Sequence, residues 1–359
     1  LLLTLLVLSV LGVIAIQVAA RVNVDFQQGE MRTRERQCRR VLDSTLGIAM
    51  RLLTESTSDL RIDHLGEEWT RAKTFKIGDG QLDISIVDCD RFYDLKGLLV
   101  DGSEDSATLE ANRTQFVAFA SYCGLDQAVA DKLADAIIAE ADVRRQEDAI
   151  WAEQMAAIEA AETETAASTT TTPTSDGSSG STSTQSTTVV SDEATRPVWL
   201  EDYLHLPGLT DEDRRAILAA TFERENIETG EKTKVRFVDL LTIWRADKVN
   251  VNTASLEVLK FALPDMTDQD EGLNRLIEAR DESPITNVST IRTFADLDLD
   301  QSTEVLQKCQ IKSTRFRVTA TATMAQVKGL PNMRTGHLVL ILERTGSNQF
   351  KVLWRSVNL

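Results

Sequence analysis

Proline is missing from the first 172 residues; the chain of 359 residues holds six in all, the earliest at Pro173. A helix entering this region therefore meets no proline stop. Histidine is nearly absent too: His64, His205 and His337 are the whole set, and none has a partner at metal-ligand or catalytic spacing. No G-x-S-x-G, H-E-x-x-H or Walker-type loop occurs, so the sequence predicts a protein that is not an enzyme. The four cysteines, Cys38, Cys89, Cys123 and Cys309, form no C-x-x-C pair, which excludes a zinc ribbon or redox motif. In an oxidising compartment four cysteines allow three full pairings, and spacing does not choose among them. Basic surplus is lacking as well. With 39 Lys+Arg against 56 Asp+Glu, the net charge of −17 disfavours a passive grip on nucleic acid or an anionic membrane.

What is present begins at the start. Leu1–Ala20 is apolar, with Thr4, Ser9 and Gln17 as its polar interruptions. Twenty helical residues span about 30 Å, so the run predicts a membrane-spanning helix. A buried core helix or a signal-peptide h-region is the competing reading, but an h-region of about 7–15 residues is shorter than this run. The chain opens without Met inside the run, so its true N-terminus is expected to lie ahead of Leu1. Arg21, Arg32, Arg34, Arg36, Arg39 and Arg40 follow, interleaved with Asp25, Glu30 and Glu35. Taken alone, the positive-inside rule would put this side in the cytoplasm. Most of these arginines lie far from the span, and charge leaves the orientation open. Val41, Leu42, Leu46, Met50 and Leu53 carry a helical stripe onward, predicting one helix to about Thr57 with its distal half packed on a soluble domain.

Period-two alternation marks two β regions. Phe75–Ile77 and Leu82–Val87 flank the turn Gly78-Asp79-Gly80, and Phe316–Thr323, Leu338–Leu342 and Phe350–Trp354 read as three further strands. Between them runs a long helical stretch, with Leu125, Val129, Leu133 and Ile137 at helical spacing. Residues 162–197 change to Thr, Ser, Gly and acidic residues with almost nothing to bury, which predicts a disordered linker of about 30–35 Å r.m.s. span. The expected fold class is α+β: a long N-terminal helix on an antiparallel sheet built from both chain ends, with a large all-α domain inserted between strands.

Within the insertion, Val249–Leu259 reads as a short extended lead-in, a polar cap at Asn252 or Thr253, and an amphipathic helix. Leu206–Asp213 and Leu263–Asp270 form a weak duplication, each between helical segments, with Thr210 and Thr267 as expected N-caps. Both copies read as helix–hairpin–helix units. The DNA-binding use of such a unit needs a Gly-rich hairpin and nearby cations, whereas the second copy offers Asp265, Asp268, Asp270 and Glu271. Protein packing is therefore the expected use. Asp296, Asp298 and Asp300 alternate carboxylates and are the candidate calcium ligands. Gln301 and Gln307 stand where an EF-hand needs Gly and Glu, and the competing reading is solvated caps and turns.

Several of these segments, in this order, resemble the K-type minor pseudopilin of type II secretion. They are Asp63-His64-Leu65-Gly66-Glu67-Glu68-Trp69 before the hairpin, Ile84–Asp88 through Arg91-Phe92, Asn250 and Asn252-Thr253-Ala254-Ser255 with Val258-Leu259, Arg280 with Ser283-Pro284-Ile285, and Thr314–Val318. Tyr93–Lys96 and Ala136–Glu140 depart from the family pattern. The resemblance implies a pilin-like fold divided as 1–58 transmembrane and extended helix, 59–100 first β part, 101–311 inserted α-domain, and 312–359 closing strands. It implies a structural role at the tip of a periplasmic pseudopilus, with the chain held by a single pass in the inner membrane and its body in the periplasm. The implied partners are the other minor pseudopilins, the major pseudopilin, the inner-membrane secretion platform and the prepilin peptidase that processes the leader. No nucleic acid and no certain cofactor is implied, with calcium the one candidate. A membrane-anchored DNA receptor of the competence type, which uses a similar N-T-A-S helix–hairpin–helix, is the alternative.

Overall fold

The computed structural model describes residues 2–55, 62–99, 106–143, 145–146, 206–225, 232–263, 270–295, 299–324, 335–346 and 349–358. They fall into two compact units, Leu1–Phe92 with Trp244–Leu359, and Tyr93–Ile243. The first unit holds both β regions. Its helix α1 (Leu2–Glu55) is continuous, as the missing prolines allow.

Five antiparallel strands, β1 (Lys73–Ile77), β2 (Gly80–Asp88), β3 (Arg315–Met324), β4 (Thr335–Arg344) and β5 (Phe350–Asn358), lie side by side in chain order. The two central neighbours, β2 and β3, come from opposite ends of the chain. Ile84 stands opposite Ala320 and Ile86 opposite Val318, while Ala320 and Val318 stand opposite Leu338 and Leu340 of β4. Because alternate residues share a face, this register gathers the apolar side chains of three strands on one side. The distal half of α1 packs there through Cys38, Val41, Leu42, Ala49 and Leu53. Ala320 and Ala322 keep the centre of β3 short beneath the helix, and the Cys38 thiol reaches the Ala322 carbonyl at 3.8 Å. Gly78, at φ 58°, makes the β1–β2 turn that its neighbours' alternation predicts.

The expected architecture of long helix, split antiparallel sheet and helical insertion is the one observed. The residues from Trp244 onward, however, belong to the sheet-bearing unit, so the expected 101–311 insert spans both units. The Tyr93–Ile243 unit packs α2 (Ser106–Tyr122) and helical residues 127–143 around Tyr93, Phe116, Phe119 and Phe237. Tyr93 stacks on Phe119 at 4.3 Å between ring centroids. Gly124 breaks the helical stretch at φ 87°, and a Cβ there would meet the Thr221 carbonyl oxygen at 2.6 Å. Thr210 caps helix Asp211–Ala219 reciprocally with Asp213, as its sequence predicts. Beyond that helix lies a feature the all-α expectation lacks: Thr221–Glu225 and Lys232–Arg236 pair as an antiparallel ribbon. The linker 162–197 lies outside the described residues.

Candidate functional site: a buried polar hub and an exposed helix

The loop opened by Val249 is buried throughout; Val249, Val251 and Ala254 are at most 1% exposed, and Asn250 and Thr253 are fully covered. Val249–Asn250 pairs in parallel with Cys309–Gln310, which fixes the loop beside the strand that leads into β3. Its polar side chains turn inward. Asn250 Nδ2 donates to Ser313 Oγ at 2.6 Å, to the Asp63 carbonyl at 3.2 Å and to Asp88 Oδ2 at 3.3 Å. Thr253 Oγ1 and Ser313 Oγ each donate to the same Asp88 oxygen at 2.5 Å. Asn252 makes a two-way pair with Ile285, its Oδ1 accepting from the backbone N–H at 2.9 Å and its Nδ2 donating to the carbonyl at 3.0 Å. Arg280 donates to the Val251 carbonyl at 2.7 Å and also to that of Ala254.

By its local sequence, Asn252 or Thr253 is the expected cap of the following helix. The structure corrects this: Ser255 holds the N-cap position before Leu256–Ala262 and makes no side-chain cap bond. The two expected caps are drawn away by Ile285 and Asp88, partners far off in sequence. The five signature residues Asn250, Asn252, Thr253, Ala254 and Ser255 are nonetheless brought together, as a buried loop. The other candidates are not: Asp296 and Asp298 lie outside the described residues, as does the Thr267 cap, and Asp300 falls on the helix Leu299–Lys308. Among the described residues no group of three His, Cys, Asp or Glu is placed to hold a metal.

Around the loop the hub extends through residues that spacing alone did not single out. Asp63 follows α1 and is fully buried; Arg344, at the end of β4, meets it with its two terminal guanidinium nitrogens, at 2.5 and 2.9 Å. Ser313 N–H donates to Asp63 at 2.7 Å, and the Arg344 guanidinium lies 4.8 Å from the Phe316 ring centre. Asp90 collects the backbone N–H groups of Ala246 and Thr314 at 2.7 and 2.6 Å, with Gln310 Nε2 at 2.7 Å. Each oxygen of Asp63, Asp88 and Asp90 is thus met by a protein donor. Such an arrangement clamps segments together, since β2, the loop and the entry to β3 meet on shared carboxylates.

Burial raises the proton affinity of Asp88 and Asp90, while the donors around them pull the other way. Burial also raises Glu67, to about 7, against a 2.6 Å hydrogen bond from Trp69 Nε1. A carboxyl whose folded pKa exceeds its unfolded value stabilises the fold below the unfolded value and loses that contribution as pH rises through the folded one. The melting temperature is therefore expected to rise between pH 8 and pH 5.5. Glu67→Gln should remove its share of that rise, about 2 kcal/mol at most over this window and less after solvent screening, by stabilising the alkaline form. An unchanged pH profile in the variant would assign the effect elsewhere. The four thiols are buried and unbridged, and burial pushes that of Cys309 up to about 12.

The second candidate surface is the proximal half of α1. Ile16 is 71% and Phe26 67% exposed, with Leu11, Val13, Val22 and Val24 also open. Exposed apolar patches of this length are typical of surfaces that contact another protein or a membrane. Among the described residues no helix is long and apolar enough to cross a membrane; from Leu11 onward, Gln17, Arg21, Asn23 and Asp25 dilute the run.

A long helix, half packed on a split antiparallel sheet and half free, defines a pilin-like fold carrying an insertion between its strands. The comparison with solved structures agrees. A chain in the crystal structure of the GspK-GspI-GspJ complex from the enterotoxigenic Escherichia coli type 2 secretion system is similar at TM-score 0.56 and 13% identity, over 92% of this chain and 99% of that one. No family model matches the sequence. No curated protein matches it either.

Proposed function

We propose that this protein is a minor pseudopilin at the tip of a type II secretion pseudopilus, a structural component of protein export across the outer membrane. The observation that carries the reading is the division of labour along α1: residues from Cys38 to Leu53 bury a stripe on the sheet, while those from Leu11 to Phe26 keep apolar side chains exposed among the described residues. In a filament those free side chains would pack against the helices of neighbouring subunits, after the same run has held the chain in the inner membrane. The residues inserted between Asp88 and Arg315 would add the bulk that caps the fibre. The similar solved structure is itself a complex of GspK, GspI and GspJ, which supports other minor pseudopilins as partners. The alternative of a DNA receptor has no such support, because the loop from Val249 to Ser255 is buried and offers no surface to phosphate.

The test is co-purification. Full-length protein in detergent should form a stoichiometric complex with the minor pseudopilins of its own system, and failure at micromolar concentration would sink the reading. Calcium at Asp296, Asp298 and Asp300 forms part of the same proposal; a chelator should then lower the melting temperature, and an unchanged melt would leave those carboxylates as solvated caps.

A further inference from the structure

Four of the arginines that follow the apolar run have no role in the hub or in the apolar cluster on the sheet. Arg32, Arg36, Arg39 and Arg40 are all exposed. At i, i+4, i+7 and i+8 they fall within an arc of about 100° on α1, turned away from Cys38, Leu42 and Ala49, which face the sheet. Arg36 Nε donates to the Arg32 carbonyl at 3.3 Å, and none of the four forms an ion pair among the described residues. The next residue on that arc, Asp43, is already paired with Arg355 of β5. Four uncompensated positive charges thus line one helix face of a chain whose net charge is −17.

We infer that the stripe of Arg32, Arg36, Arg39 and Arg40 docks the acidic face of a neighbouring subunit's helix, an inference that rests on the assembly reading above. Two observations select protein over lipid. Arg36 to Arg40 lie about 15–21 Å beyond Phe26 along the axis at 1.5 Å per residue. The headgroup layer extends only about 5–8 Å past the hydrocarbon, so most of the stripe stands clear of a membrane that holds the apolar run. The stripe also continues directly from the free apolar face, so a helix lying along that face would reach the guanidinium groups. Planar guanidinium groups suit carboxylate partners, which they can grip through two N–H donors at once.

The experiment uses the full chain in detergent with the minor pseudopilins of its own system. The wild-type complex should weaken roughly tenfold or more as salt is raised from low to physiological strength and beyond, because exposed charge pairs are screened. Combined Arg32→Gln, Arg36→Gln, Arg39→Gln and Arg40→Gln substitution should weaken the complex about tenfold at low salt and flatten its salt dependence. All four side chains are solvated, so the melting temperature should hold, and the pair Arg32→Gln with Arg36→Gln serves as a milder second variant. A wild-type protein that forms no complex defeats the assembly reading. A complex of equal strength and salt dependence in wild type and variants defeats the arginine inference alone. Loss of binding to phosphatidylglycerol vesicles with the protein complex intact would give the stripe to lipid, and overturns it as well.

Discussion

Arg344→Met is expected to cost about 3–5 kcal/mol of unfolding free energy, the range for breaking a buried ion pair by removing one partner. The reason is what remains behind. Asp63 is fully buried and relies on Arg344 for its charge neutralisation, with the Ser313 N–H as its other donor. Methionine would fill much of the space over Phe316 and Phe350 but leave the buried carboxylate without its directly paired guanidinium. Denaturant unfolding of the single variant, and of the double variant with Asp63→Asn, separates charge from packing. The double variant should recover a large part of the loss, because neither buried charge then remains. A loss below about 1 kcal/mol in the single variant would mean that the pair behaves as a solvated one.

Asn250→Ala should cost about 2–4 kcal/mol, from several lost hydrogen bonds and a small cavity at a fully covered site. Asn250 is the member that touches every layer of the hub: Asp63 before β1, Asp88 at the end of β2, Ser313 before β3, and its own loop through the Asn252 N–H at 3.0 Å. Asn250→Asp makes the sharper comparison. It nearly preserves volume but places another carboxylate beside Asp88, so it should destabilise more at pH 8 than at pH 5.5. Ser255→Ala is the internal control: Ser255 Oγ is buried with no hydrogen-bond partner among the described residues, so its loss should change stability by no more than about 0.5 kcal/mol. If Ser255→Ala and Asn250→Ala proved equal, the hub would have no special standing.

Features with local causes were legible in the sequence. The β1–β2 turn needs only Gly78 and its alternating neighbours, and the Thr210 cap needs only Asp213 three residues on. The extent of α1 followed from the absence of proline and the stripe from Val41 to Leu53. Features with distant causes were misread or missed. Asn252 and Thr253 look like caps because cap chemistry is local, whereas their real partners, Ile285 and Asp88, stand 33 and 165 residues away. Asp63 and Arg344 carry no mark of their pairing, being 281 residues apart. Gly124 carries no mark in the sequence of the Thr221 carbonyl that lies against it, 97 residues further on. The ribbon at Thr221–Glu225 did carry a signal, Phe222 and Val235 amid exposed charges, but one apolar residue per strand is too little to outweigh a helical context.

The pairing of β2 with β3 has a consequence for the time course of synthesis. Once β2 has left the ribosome, its final neighbour is more than two hundred residues from being made. At about 5–20 residues per second, β2 waits roughly 10–45 s with one edge unpaired and Leu82, Ile84 and Ile86 lacking most of their cover. An edge of that kind is a template for the wrong strand. The nascent chain thus has reason to be held by a chaperone until roughly its last eighth emerges, and truncations before Arg315 should aggregate even though they contain α1 and the hairpin intact.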